Sequence, residues 1–331
     1  MTTRKSAPIF APSRRTALGL IGATLLGPKA ALAAGLESAG GRAFGTTWRM
    51  VYGGPGEREG LTRRIGAVLA EVDRVFSPWR ADSDLSAFNA APDGVAVADP
   101  SLAHVTAAAL DIARRSGGAF DPTVGPLVAR WGFGPIDAPG GGAPDWRGIR
   151  AAGAGIAKGR PDLTLDLCGI AKGWALDRVV ELLRGDGVGE ALVEIGGEFA
   201  AIGTHPEGRD WRVAVEALRV GQPPVAALRL APGMAVATSG IAAQSYELNG
   251  RLYSHIIDPG TGAPAGGALG SVTVAAGDAM TADGWATALC AAGPVLGPEI
   301  ARAEGVAALF VSAEDAGHRQ WTTGAMRELV L

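Results

Sequence analysis

From about residue 190 onward the chain is a succession of short alternating segments, ALVEIGG, WRVAVEAL, VAALRLA, MAVATSG, RLYSHIIDP, GSVTVAA and AALFVSA, separated by glycines, prolines and turn pairs. Alternation with period two marks half-buried strands, and links this short favour antiparallel pairing. In this second half of the chain, helical patterns fall at about 170 to 184, before these strands, and at about 279 to 292, among them. Upstream, RAFGTTWRMVY (42 to 52) reads as a first strand. LTRRIGAVLAEVDRVFS repeats apolar residues at helical spacing (Ile65, Val68, Leu69, Val72, Val75). PWRADSDLSAFN follows as a polar loop, and PSLAHVTAAALDIARRSGG as a second helix, ended by Gly117-Gly118. Residues 131 to 160, rich in Gly, Pro and Ala, read as a surface excursion. Strands in runs without strict βαβ alternation predict an α+β fold. With 331 residues, 47% of them hydrophobic, the chain is long enough for one large domain of mostly antiparallel sheet flanked by helices, spanning 35 to 331.

The first 34 residues have another character. Arg4-Lys5 and Ser13-Arg14-Arg15-Thr16 precede an uncharged stretch, Ala17 to Pro28, and Ala31-Leu32-Ala33 precedes Ala34. Paired arginines, an apolar stretch and an Ala-x-Ala site predict twin-arginine export and a periplasmic mature protein. The uncharged stretch is far shorter than the ~20 residues of a membrane span, so no anchor is expected. Removing the five basic residues at positions 4, 5, 14, 15 and 29 from the 30 leaves 25 against 33 acidic ones. An acidic mature surface argues against nucleic acid as partner. Cys168 and Cys290, the two cysteines, allow a single bridge and no cysteine-built metal site.

Four constellations can carry chemistry. In TLDLCGIAKGWALDRVVELL, Leu163, Leu165 and Leu167 alternate with Asp166, which leaves the strand on the opposite face. Gly169 permits a tight turn, and a helix starts near Ile170. Lys172 then falls in the first helical turn, where free N–H groups already favour an anion. Either Asp166 and Lys172 form an ion pair, or the turn is a phosphate site. In GDAMTADGWATALCAAG, Asp278 is a good N-cap, and Asp283 and Thr287 lie four apart on one helix face. They offer two hard oxygens to a cation such as magnesium, unless Thr287 bonds back into its own helix. In YSHIIDPGTGAP, His255 sits on the strand before the Asp258-Pro259-Gly260 turn, as a general base or a structural histidine. In GGAFDPTVGPLVARWGFG, Asp121-Pro122 and the glycines force an ordered turn.

These segments, in this order, resemble the ApbE family of FAD:protein FMN transferases. The similarity runs from about 43 to 311 through GTTW, SPWRADSDLSAFN, GGAFDPTVGPL with WGFG, DLCGIAKGWALD, VEIGGE, ATSG, HIIDPGTG and ADGWATAL. The resemblance implies an ApbE-like fold and magnesium-dependent transfer of FMN from FAD to a threonine or serine of an acceptor protein, with release of AMP. It further implies metal ligation by the Gly169 carbonyl, Asp283 and Thr287, and a base at His255. FAD contacts are implied at Phe44, Trp79, Ala119, Phe120, Asp121, Asp166, Lys172 and Ile257. Two positions depart from the family pattern: Phe44 stands where methionine is usual and Trp79 where tyrosine is. Both keep a surface for a flat ring. Cys168, close to the metal position, raises the question of redox sensitivity.

In this picture magnesium, Lys172 and the helix N-terminus hold the pyrophosphate, Asp166 positions the nucleotide, and His255 deprotonates the acceptor hydroxyl. The expected acceptor is a flavoprotein of a membrane or exported redox system. Two alternatives stand beside it: FAD pyrophosphatase, with water as the nucleophile, and a non-catalytic flavin-binding maturation factor, in which a metal pair and a base would have no task.

Overall fold

The computed structural model describes residues 35 to 331, apart from 55–56, 93, 95–98, 138–141, 154, 220, 242–243, 250 and 315–316. The predicted export segment, 1 to 34, lies outside the described residues. Among the described residues there are seven α-helices: α1 (Arg58–Phe76), α2 (Asp84–Ala90), α3 (Pro100–Arg115), α4 (Gly125–Arg130), α5 (Ala171–Gly185), α6 (Ala279–Ala303) and α7 (Met326–Leu329). The strands of one large sheet are β1 (Glu37–Ala43), β2 (Thr46–Gly53), β5 (Glu190–Ile195), β6 (Glu198–Ile202), β9 (Ala235–Gly240), β14 (Leu269–Ala276), β15 (Ala307–Glu314) and β16 (Gly317–Thr323). They lie side by side in that order, each antiparallel to its neighbours. The described residues also form two-stranded pieces: β3 (Ile149–Ala152) with β4 (Gly155–Lys158), β7 (Trp211–Val215) with β8 (Ala226–Leu230), β10 (Ser245–Leu248) with β11 (Arg251–Ser254), and β12 (Ile257–Asp258) with β13 (Ala263–Pro264). The expected α+β architecture is what forms.

Both faces of the large sheet are covered, and the period of two sorts its side chains. Ala191, Val193 and Ile195 of β5 pack into the main core under α1, α5 and α6, while Leu192 enters a second core against β7 and β8. In β6, Ala200 and Ile202 join the main core, and Phe199 and Ala201 the second. The helical stripe read at Ile65, Leu69, Val72 and Val75 is the buried face of α1. In α3, Asp99 caps the first turn through the N–H groups of Ser101 and Leu102, with Pro100 at the first helical position.

The structure revises several expectations. The segment 42 to 52 is no single strand: β1 and β2 form a hairpin whose turn residues, Phe44 (φ 52°) and Gly45 (φ 74°), both adopt left-handed conformations. That is the turn geometry matching the twist of two-residue hairpins. Residues 131 to 160 hold the β3–β4 hairpin, with Ile149, Ile156 and Lys158 buried, so they are more than a surface excursion. The helix beginning at 279 runs on to Ala303, across a kink at Gly293 (φ 76°) followed by Pro294 and Pro298. Both cysteines are free, Cys168 exposed and Cys290 buried, so the bridge does not form. Among the described residues no helix is long and apolar enough to cross a membrane.

Candidate functional site

Among the described residues the run 163 to 167 pairs with no strand. Side chains stand in for the missing neighbour. Asn89 donates to the Leu165 carbonyl at 2.8 Å and accepts from its N–H at 2.7 Å. The buried Lys158 ammonium donates to the carbonyls of Asn89, Pro161 and Leu163 at 3.0, 3.2 and 3.1 Å. Leu163, Leu165 and Leu167 are buried, Thr164 is buried with them, and Asp166 is half-buried. Its N–H donates to the Pro122 carbonyl at 2.7 Å, and its Oδ1 accepts from the Cys168 N–H at 3.0 Å, closing the turn toward Gly169. Burial raises the Asp166 carboxyl above its ordinary pKa, with the Cys168 bonds opposing.

Helix α5 begins at Ala171, so Lys172 does stand in its first turn. Its partner is not Asp166: the ammonium binds the Glu198 carboxylate of β6 and lies 3.9 Å from Asp283 Oδ1. Counting by two along β6 places Glu198 on the face of Ala200 and Ile202, under the helices. Glu198 is 1% exposed, and its Oε2 is buried without a hydrogen-bond partner. Burial pushes the Glu198 and Asp283 carboxyls upward, against the pull of Lys172. Burial would lower the Lys172 ammonium, but Asp283 and Glu198 outweigh it and raise the pKa.

Asp283 is 3% exposed on α6 and accepts the Gly173 N–H at 3.0 Å through Oδ2. One turn on, the Thr287 hydroxyl donates to the Gly169 carbonyl at 3.3 Å and lies 3.2 Å from the Ser239 hydroxyl of β9. Thr287 thus reaches across to the turn. Gly169 is needed there: a Cβ would stand 2.9 Å from Thr287 Cγ2 and 3.3 Å from Phe120 Cε2. Among the described residues no three His, Cys, Asp or Glu side chains converge on a metal position. The donors gathered here are instead a carboxylate, hydroxyls and a carbonyl, the hard oxygens a cation such as magnesium takes.

His255 lies between β11 and β12, off the strand where the sequence placed it, because the backbone leaves the β10 pairing after Ser254. Its N–H and ring Nδ1 both meet the Gln244 carbonyl, at 3.0 and 3.1 Å. A carbonyl only accepts, so Nδ1 carries the proton and Nε2 presents a lone pair. Burial first, and then the Lys172 charge, pull the imidazole down to about 4, with the Gln244 bond opposing, so it is neutral at physiological pH. Ile257 is buried in β12, and Asp258 closes the following turn through the N–H of Gly260 at 2.9 Å and the Thr261 hydroxyl at 2.9 Å.

Ala119 is half-buried, Phe120 borders Gly169, and Asp121 is buried with Oδ1 accepting from the Thr123 N–H and hydroxyl at 2.8 and 2.6 Å. Burial raises the Asp121 carboxyl. Phe44 occupies the strained hairpin turn, and Trp79 is 68% exposed, an uncommon setting for so large a ring. Among the described residues neither is hydrogen-bonded to the Lys172 cluster. Glu198 and Ser239 were quoted within VEIGGE and ATSG without a role; strand parity, once the strands are known, assigns both to the helical face.

The ApbE family profile matches residues 44 to 310. The chain is 34% identical over 310 residues to the FAD:protein FMN transferase of Klebsiella pneumoniae (strain 342), covering 88% of each chain. It is 36% identical over 304 residues to the protein of the same name from Vibrio cholerae, covering 87% of this chain and 90% of that one. Among solved structures, the flavin transferase ApbE from Vibrio cholerae superposes with a TM-score of 0.79 at 33% identity, over 89% of this chain and 99% of that one. The apo form of the Pseudomonas stutzeri flavinyl transferase ApbE gives 0.78 at 35% identity, over 89% and 96%.

Proposed function

The chain belongs to the ApbE family, and we propose that it transfers FMN from FAD to a threonine or serine hydroxyl of an acceptor protein, releasing AMP. The observation that carries this reading is the Thr287 hydroxyl on the Gly169 carbonyl, with Asp283 one turn before Thr287 on α6 and 3.9 Å from the Lys172 ammonium. Magnesium held by those three oxygens would supply positive charge to a pyrophosphate. Lys172, restrained by Glu198, adds a fixed cation, and the start of α5 adds its free N–H groups. Asp166 orients the nucleotide, while Phe44, Trp79, Ala119, Phe120, Asp121 and Ile257 contribute its walls. His255 Nε2 accepts the proton of the acceptor hydroxyl as that oxygen bonds to the FMN-side phosphorus. The phosphoanhydride bond breaks, and AMP leaves with the electron pair. A buried carboxylate, a cation and a neutral imidazole so arranged exceed what a flavin carrier needs.

The test is mass spectrometry of a candidate acceptor incubated with the mature protein, FAD and magnesium. The expected product gains the mass of FMN less one water; FMN and AMP with an unmodified acceptor would indicate pyrophosphatase instead. For location, we infer twin-arginine export to the periplasm from Ser13-Arg14-Arg15 and the Ala-x-Ala site, with an exported or membrane redox protein as acceptor. Replacing Arg14 and Arg15 by lysine should hold the precursor in the cytoplasm, and unchanged secretion would contradict the route.

A further inference from the structure

Helices α5 and α6 touch backbone to backbone. At Gly173 an added Cβ would stand 2.2 Å from the Ala279 carbonyl oxygen and 2.7 Å from Met280 Cα, so the crossing exists only because position 173 has no side chain. One turn further along α5, the Asp177 carboxylate reaches over to the start of α6. Its two oxygens accept the N–H groups of Ala279 at 2.8 Å and Met280 at 2.9 Å. These are among the donors that a helix start leaves without partners. The helix's own cap, Asp278, takes the Thr281 N–H at 2.7 Å. Asp177 therefore closes the start of α6 from a different helix, on the same contact through which Gly173 donates to Asp283.

Asp283 lies one turn after Ala279, on the face of α6 that meets α5. A helix slipped by one residue moves about 1.5 Å and turns by about 100°, which would carry Asp283 away from Lys172 and Thr287 away from Gly169. Nothing in the packing of α5 calls for a carboxylate at 177: Ala175, Leu176, Val179, Val180 and Leu183 supply its buried face, and Asp177 is only half-buried.

We propose that Asp177 is a positioning residue that locks the start of α6 against α5, holding Asp283 and Thr287 in register with Gly169 and Lys172, and so sets the affinity of the site for its divalent cation. The inference rests on the magnesium reading given above. Groups that orient metal ligands typically change affinity by 10- to 100-fold when removed.

The experiment is a manganese titration of the full chain with saturating FAD and no acceptor, read from the free-ion electron paramagnetic resonance signal, with flavin fluorescence reporting FAD occupancy. Asp177→Ala should raise the manganese dissociation constant about tenfold or more, with FAD binding in the absence of metal unchanged. Asp177→Asn keeps one acceptor oxygen and should fall between. The control is Asp278→Ala, which removes a cap from the same helix end without unlinking the two helices. It should lower the melting temperature and leave manganese affinity at the wild-type value. Wild-type affinity in Asp177→Ala, or equal weakening in Asp177→Ala and Asp278→Ala, would reduce Asp177 to an ordinary cap and overturn the proposal. Should Asp177→Ala fail to fold, the same comparison with Asp177→Asn decides. A wild-type chain that takes up no manganese would instead remove the metal reading itself, and the inference with it.

Discussion

The two faces of the central sheet are built from the same strands, yet they bury different chemistry. Beneath β7 and β8 the second core is closed by Leu36, Val51, Leu192, Phe199, Trp211, Leu228 and Val311, an apolar seam that needs only shape. On the helical face, the same alternation sets Glu198 and Ser239 beside Ala200 and Ala237, and α5 and α6 bring Lys172, Asp283 and Thr287 to meet them. Burying charges costs several kcal/mol unless they are paired and hydrogen-bonded, so a carboxylate such as Glu198, with one oxygen lacking a partner, is a poor device for stability. The difference teaches that the second core buries apolar groups alone, whereas the main core on the helical face encloses a charged cluster that apolar packing does not require.

The largest effect expected from this contrast is at His255. His255→Ala should lower the transfer rate by about 10²- to 10⁴-fold with FAD affinity retained, as expected of the base proposed for the acceptor's proton. Single-turnover labelling and a flavin titration together check it; a wild-type rate would leave His255 a structural residue. Next comes the opposite face. Leu228→Ala, at a site with 0% exposure, should cost about 2–5 kcal/mol in a denaturant titration, while labelling per folded molecule stays unchanged. A catalytic defect in the folded fraction would blur the division between faces.

The smallest effect is a pH dependence. The His255 imidazole is held at about 4 in the folded chain against an ordinary 6.5, so the folded state binds fewer protons between those values. Its contribution to stability is complete above pH 6.5 and is lost as the pH falls toward 4. Asp177, raised by burial to about 6, acts with the opposite sign, losing stability as the pH rises from 3.8 toward 6. The difference between wild type and His255→Gln isolates the histidine: the variant should lose less stability between pH 6.5 and 4. Parallel curves would contradict the shifted imidazole.

Much of this was legible in local pattern. The buried stripe of α1, the Asp99 cap, the start of α5 near Ile170 and the shared face of Asp283 and Thr287 all depend on residues within a turn or two of one another. What could not be read depends on distance in the chain. Asn89 acts as a neighbouring strand for Leu165 across 76 positions, and Asp177 caps a helix start more than 100 positions away. Lys172 finds Glu198, 26 positions on, in preference to nearby Asp166. Periodicity cannot report such bonds, because it encodes which face a side chain takes and not what faces it. The β1–β2 hairpin is hidden in the sequence for another reason: Phe44 adopts a left-handed conformation that its residue type gives no cause to expect.

The central claim is that Asp283, with Thr287 and Gly169, makes the helical face a magnesium-dependent transfer site. Acceptor labelling by wild type and Asp283→Ala across a magnesium titration, with circular dichroism to show both folded, tests it most directly. The account predicts FMN addition that rises with magnesium for wild type and none at any magnesium concentration for Asp283→Ala. Labelling by Asp283→Ala at the wild-type rate, with the same magnesium dependence, would contradict it.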